Sequence, residues 1–394
     1  MRLHDAQRGT TVRAIIREDC SVSRFAAALA GLALAVAPMT LGAAFAQAPA
    51  AASPPAPEPH AGDFAIKDFH FQSGETLPEL RIHYTTFGEP RRDAAGRVTN
   101  AVLVMHGTGG AGTSLIRPEF TGELIGPGQL LDATKYYLIF PDDIGHGKSS
   151  KPSDGLRARF PHYDYADMVE AEHRLVTEGL HVDHLRLVMG TSMGCMHTFM
   201  WGENWPGMMD ALMPLACNTV QIAGRNRVWR DMVIDLVTHD PDWKGGDYQA
   251  EPMTALRGAE DITIIAGSAP HQMQKALPTR DDADAYVVRV LGASLPHLDA
   301  NDLLYQVDSS RDYDPSARLG EINAYLMWVN SADDFINPPE LGIAEQSVKQ
   351  IRHGKFVLLP IGPNTHGHGT HTFAVAWKDH LAELLQESAQ GGAK

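Results

Sequence analysis

The sequence predicts an α/β fold, in which a mostly parallel sheet carries helices on both faces and a helical lid is inserted late in the chain. Three observations point to it. Short, wholly apolar runs of the kind buried strands need alternate with helical patterns. A serine between two glycines stands directly between one such run and the helix that follows. Residues 219–319 hold only helix-like segments and loops rich in Pro, Asp and Arg, which is too long for a crossover between two strands.

The fold is expected to begin near Asp63, where Phe64–Phe71 and Leu80–Phe87 alternate as an antiparallel hairpin would. The apolar runs after it are Ala101–Met105, Tyr136–Phe140, Leu185–Met189, Ala211–Leu215, Tyr325–Val329 and Phe356–Leu359. Helical patterns fall near Tyr165–Gly179, Met193–Trp205, Pro339–Ile351 and Thr372–Glu387. The sheet domain is therefore expected in two pieces, 63–218 and 320–394, with the lid 219–319 between them. Covering the carboxyl ends of the strands is the natural place for such a lid, because folds of this kind bind ligands there.

The ends of the chain have a different character. Arg13, Arg17 and Arg24 precede an apolar run from Phe25 to Phe45 that is broken by Pro38 and Gly42. Ala44-Phe45-Ala46 has the small-x-small form of a cleavage site. Residues 1–46 are thus expected to be a signal peptide cut after Ala46, giving a periplasmic or secreted protein without a stable membrane anchor. Residues 47–62, rich in Ala and Pro, are expected to be a linker. A formal charge of −15 argues against nucleic acid and anionic membrane surfaces as partners. Beyond the leader only Cys195 and Cys217 remain, both in apolar segments. Buried free thiols are the default for such residues, and nothing in the sequence supports a bond between them. No spacing suggests a metal or cofactor site.

Gly190-Thr191-Ser192-Met193-Gly194 carries the chemistry. The strand-to-helix context is the one a nucleophile elbow requires, with the serine exposed on a strained turn. A serine hydroxyl is a poor nucleophile alone, so an acid and then a histidine should follow in chain order. Asp333 and Asp334 both stand just past the run Tyr325–Val329. Asp334, four residues before Pro338, is the choice for the acid, and Asp333 the alternative. His366, His368 and His371 lie beyond the last apolar run. The Gly-His-Gly setting gives His368 the freedom to project over the serine, leaving His366 and His371 as loop or pocket-rim residues. A metal site on this H-x-H-x-x-H run would lack a completing cluster elsewhere. The oxyanion of an acyl transfer needs two N–H donors. One is expected from Met193 and the other from Thr108 in His106-Gly107-Thr108-Gly109-Gly110, with Gly107 or Gly109 as alternatives. Those glycines lack the Lys-Ser/Thr of a phosphate cradle. His146 and Lys148 are expected to shape their glycine-rich loop, and Met193, Met196 and Met200 to pack in the core.

With these motifs the chain resembles the homoserine O-acetyltransferase-like branch of the α/β-hydrolase superfamily, over roughly residues 64–384. The resemblance rests on Gly126-Pro127-Gly128 with Leu131-Asp132 and Tyr136-Tyr137, on Ser192-Met193-Gly194 with Met196, and on Asp240-Pro241-Asp242-Trp243 with Gly245-Gly246-Asp247-Tyr248. Asp334 through Pro339 resembles its acid motif, and His368-Gly369-Thr370 with Trp377 is closer to its hydrolase-type members than to the transferases. The resemblance implies an α/β-hydrolase fold, a Ser-Asp-His triad, a helical lid and often a homodimer. Three departures set this chain apart. Cys195 stands where transferases carry a further glycine, and the long Gly/Pro/Ser insertion after the fourth strand is missing. Ile234 stands where the resemblance places the arginine that grips an amino-acid carboxylate. The expected function is an exported serine hydrolase that cleaves a small-molecule carboxylic ester, less readily an amide, through an acyl-enzyme. An O-acyltransferase with the same triad is the alternative, and a catalytically inert binding module is disfavoured by the intact set of groups.

Overall fold

The computed structural model describes residues 58–391. The expected leader 1–46 and most of the linker lie outside them. The linker ends earlier than expected, because the first strand already begins at His60.

Eight strands form one sheet. In chain order they are β1 (His60–His70), β2 (Thr76–Phe87), β3 (Ala101–Met105), β4 (Tyr137–Pro141), β5 (Leu187–Thr191), β6 (Ala211–Leu215), β7 (Tyr325–Ser331) and β8 (Gly354–Leu359). Their spatial order is β1-β2-β4-β3-β5-β6-β7-β8. Only the β1–β2 and β2–β4 pairings are antiparallel. The central strands alternate their side chains between two cores. Leu103, Val188 and Leu212 face Phe199, Trp201 and Trp328. Val102, Val104 and Met189 face Trp377, Leu381 and Leu384 on the opposite side. Burial on both faces explains why these strands read as unbroken apolar runs.

Ten α-helices surround the sheet. They are α1 (Thr121–Leu124), α2 (Tyr165–Arg174), α3 (Met193–Asn204), α4 (Gly224–His239), α5 (Met253–Ala266), α6 (Pro270–Ala276), α7 (Arg280–Ser294), α8 (Ala300–Asp308), α9 (Ile343–Ser347) and α10 (Lys378–Gly391). Asp164 caps α2 and shares reciprocal bonds with Asp167, after which the chain widens into a looser turn over Leu175–Gly179. The helix expected over Pro339–Ile351 is broken. Gly342 takes a left-handed conformation at φ 62° and leaves only α9 and two flanking single turns. The last helix likewise starts late, at Lys378, behind two single turns. Helices α4 to α8 fill the interval between β6 and β7 and bury small cores of their own, one around Val237, Leu256 and Leu291 and one around Val233 and Val307. No described helix is long and apolar enough to cross a membrane.

The two cysteines overturn the expectation of free thiols. Cys195 and Cys217 form a disulfide, with their Cα atoms 5.8 Å apart. The bond was illegible because its two residues meet only once α3 has folded back along β6. Cys195 lies on the buried side of α3, and Cys217 stands two residues beyond β6. Closing a loop of 22 residues should stabilise the fold by about 3 kcal/mol through the unfolded chain. Urea denaturation of the Cys195→Ala/Cys217→Ala double variant should show a loss of that order, and a loss below about 0.5 kcal/mol would mean that the bond does not form in solution.

Candidate active site

The elbow forms because two side chains are missing. A Cβ on Gly190 would stand 2.1 Å from the carbonyl oxygen of Gly194, and a Cβ on Gly194 would stand 2.5 Å from that of Met105. With both absent, α3 starts directly at the end of β5, and Ser192 between them is held at φ 54°. Neighbouring strands enforce this turn. The Ser192 amide donates to the Leu215 carbonyl at 2.8 Å, and the Gly194 amide to the His106 carbonyl at 2.9 Å. A non-glycine residue in this region is strained, and such strain persists only where the surroundings dictate it.

Three side chains meet at this turn. The Ser192 hydroxyl lies 2.8 Å from His368 Nε2. His368 Nδ1 lies 2.9 Å from Asp334 Oδ2. A carboxylate only accepts, so Nδ1 carries the proton and Nε2 is free to accept from Ser192. Burial alone would raise the Asp334 carboxyl, but the His368 charge and bonds from His368 and Asn337 hold it below the usual range. Its Oδ1 accepts from the amides of Ile336 at 2.7 Å and Asn337 at 3.0 Å. The Asn337 amide group also bridges Asp334 Oδ2 to the Ala216 carbonyl. Asn337 was missed in the sequence, although its place three residues after Asp334 was a usable signal.

The alternatives lie elsewhere. Asp333 accepts from the Ser331 hydroxyl. His366 stacks on Phe373, with ring centroids 3.8 Å apart. His371 is buried with its ring 5.1 Å from that of His368, and burial pushes it down to about 3, so it stays neutral. The three histidines do not converge on one point. Lys148 gives its backbone amide to Asp142, and His146 is buried in the same loop. Met193 and Met196 pack in the core, and Met200 packs against it. Neither Met193 nor Thr108 donates its amide to another backbone carbonyl among the described residues. Both amides are therefore free for an incoming oxygen. Gly107 approaches Ser192 closely, since a Cβ there would stand 3.2 Å from the Ser192 Cβ.

Ser192, His368 and Thr108 open on a cavity of about 510 Å³, walled on the other side by Trp229, Arg230 and Glu260 of the helical insertion. A larger cavity of about 650 Å³ lies beyond the acid loop and does not include Ser192. Ile234, the position expected to lack the carboxylate-gripping cation, lines a separate groove with Thr238 and Tyr305. The cavity nevertheless contains a cation, Arg230, one helical turn earlier on α4. The linear match to Asp240-Pro241 could not show which face of the helix turns toward Ser192.

Asp143, Glu172 and His197 lie fully buried behind the elbow, each with a candidate ligand atom within 4.8 Å of the others. Such a set could hold a cation, but its atoms are already engaged. His197 Nδ1 lies 2.9 Å from Glu172 Oε1, and Trp201 Nε1 donates to Glu172 Oε2 at 2.7 Å. Burial pushes Glu172 up to about 7, and Asp143 well above its usual range, where the nearby Glu172 charge adds to the effect. Two carboxyls this deep in the protein cannot both ionise without cost, so they hold at least one proton between them.

The sheet and the elbow define an α/β-hydrolase fold. Solved structures share it: an acetylester hydrolase from Corynebacterium glutamicum (20% identical, TM-score 0.72, covering 83% of this chain and 96% of that one) and the acetyl esterase MekB (23% identical, TM-score 0.72, 83% and 97%). A homoserine O-acetyltransferase from Bacillus anthracis is equally similar (20% identical, TM-score 0.72, 83% and 97%). Sequence relatives place the likeness in the homoserine O-acetyltransferase-like branch. A probable acyltransferase from Methanothermobacter thermautotrophicus is 28% identical over 279 residues, covering 71% of this chain and 84% of the relative. A homoserine O-acetyltransferase from Moorella thermoacetica is 29% identical over 326 residues, 72% and 84%. No protein-family model matches the chain.

The buried acids give the fold a pH dependence of definite sign. Glu172 has a folded value near 7 against an ordinary 4.5, so unfolding releases its proton more readily. Its contribution to stability should fall as pH rises from about 4.5 to 7 and stay low above that. Glu172→Gln should flatten the decline in melting temperature between pH 5 and pH 8. An unchanged slope would assign the titration to another group.

Proposed function

We propose that this protein is an exported serine hydrolase that cleaves a carboxylic ester through an acyl-enzyme. The observation that carries this reading is the unbroken chain of hydrogen bonds from Ser192 through His368 to Asp334, opening on a cavity large enough for a small ester. Ser192 Oγ attacks the ester carbonyl while His368 Nε2 takes its proton. The amides of Met193 and Thr108 receive the negative oxygen of the tetrahedral intermediate. Collapse of that intermediate breaks the bond to the alcohol, which leaves with the proton from His368. Water then repeats the sequence on the acyl-Ser192, releasing the acid and restoring the serine. Asp334 keeps the imidazole in the required tautomer throughout, and the insertion 219–319 acts as the lid over the cavity.

Two features favour water as the acceptor. The expected leader directs the chain out of the cytoplasm, and the Cys195–Cys217 disulfide suits an oxidising compartment. Acyl-CoA is scarce there. The second reading, an O-acyltransferase, is favoured by the names of the sequence relatives. The two separate when p-nitrophenyl esters, and acetyl-CoA with and without homoserine, are offered to the pure protein. Ester hydrolysis independent of any acceptor is expected. O-acetylhomoserine formed with kcat/KM near about 10⁴ M⁻¹s⁻¹, an ordinary enzymatic value, would overturn it.

Substitutions should sort the site residues. Ser192→Ala and His368→Ala should each lower kcat by about 10⁴–10⁶. Asp334→Asn should be milder and Asp333→Asn close to unchanged. A fluorophosphonate should label Ser192, and a greater loss in His366→Ala than in His368→Ala would refute the histidine assignment. Mass spectrometry of the exported protein should find its N-terminus near Gln47, and a full-length product alone would count against export.

A further inference from the structure

Arg230 is a buried cation without an anion. Its residue is only 2% exposed, yet it lines the cavity that holds Ser192 and His368. Its hydrogen-bond partners are all neutral: Nε donates to Asn226 Oδ1 at 3.1 Å, and Nη1 to Ser310 Oγ at 3.2 Å and the Val307 carbonyl at 3.5 Å. The guanidinium also lies 4.7 Å from the Trp229 ring. No carboxylate among the described residues forms an ion pair with it, although Glu260 and Asp299 line the same cavity. The arginine one turn away behaves otherwise, since Arg227 pairs with Asp231 at 3.3 Å. The other cation of the cavity, Lys151, is already matched by Asp302 at 3.7 Å.

Taking a guanidinium out of water costs several kcal/mol unless an opposite charge meets it. Proteins rarely bury arginine unpaired. Here the missing partner has room to arrive from the cavity. We propose that the ester cleaved at Ser192 carries a carboxylate and that Arg230 receives it; this rests on the hydrolase reading above. One cation fits one singly charged group. A phosphate dianion would bring a second negative charge into a cavity already lined by Glu260, Asp299 and Asp302, with no free cation to meet it. A planar carboxylate can take two parallel N–H bonds from a guanidinium, which a neutral ester cannot.

Two matched pairs of substrates test this, one with the charge on the acyl side and one with it on the alcohol side. The first is mono-p-nitrophenyl glutarate against p-nitrophenyl butyrate, the second para-acetoxybenzoate against para-acetoxybenzamide. The charged member of at least one pair should exceed its neutral partner in kcat/KM by about 100-fold. Arg230→Met should collapse that ratio to near unity, and Arg230→Lys should retain part of it. Equal turnover within both pairs, or a ratio untouched by Arg230→Met, would overturn the proposal. Should Arg230→Met fail to fold, inhibition of the native enzyme gives the second measurement. Glutarate should then compete and glutaramide should not, and equal inhibition by the two would overturn the proposal. The hydrolase reading fails separately, by absence of turnover on every ester together with an unlabelled Ser192. In that case a thermal shift by glutarate and not glutaramide would still support Arg230 as a carboxylate site, and no shift would refute it.

Discussion

At Ser192 the backbone is forced through a conformation that an isolated chain would leave at once, and the geometry of the site follows from what prevents it leaving. The strand before it is paired on both sides, to β3 and to β6. The helix after it is pressed so close to Met105 that only glycine fits at position 194. Because β5 lies in the middle of the sheet, the loops after β3, β6, β7 and β8 all end beside the serine. Thr108, Ala216, Asp334 and His368 come from those four loops. The elbow supplies the reacting atom, and the parallel sheet brings the partners to it without any long-range pairing of their sequences.

The interior behind the elbow is unusually polar. Asp143, Glu172, His146 and His197 are all buried, and burial biases each toward its neutral form. The site in front is arranged the opposite way. There Asp334 is surrounded by donors that favour its charge, and Arg230 has no acid within reach. Charge is thus withheld on one side of the elbow and displayed on the other, which suits a reaction that creates an oxyanion and an imidazolium together.

Most of the sheet could be read in the chain because burial on both faces leaves a simple mark, a run such as Ala101–Met105 or Ala211–Leu215. Gly190 to Gly194 was legible for a related reason: strand, turn and helix start are contiguous, so the constraint is written in one place. Relationships between distant segments left no such mark. Cys195 and Cys217 look like two apolar positions until α3 lies along β6. Arg230 was passed over because aligning a helix by its end fixes a residue count and says nothing about the direction of each side chain. The break at Gly342 was hidden by an apolar pattern that continues past it, and Asn337 by its ordinary appearance after a pair of aspartates.

The disulfide has a consequence for where motion can begin. Cys217 stands two residues before the insertion that starts at 219, and its partner sits three residues after Ser192 on α3. The insertion has its own small cores and can loosen as a unit, in the manner of a locally unfolding segment. Such an opening meets a covalent stop at Cys217. Amide hydrogen exchange in α4 to α8 can therefore be fast while β5, β6 and the start of α3 stay protected, so that the cavity can admit and release its contents without the nucleophile losing its aim.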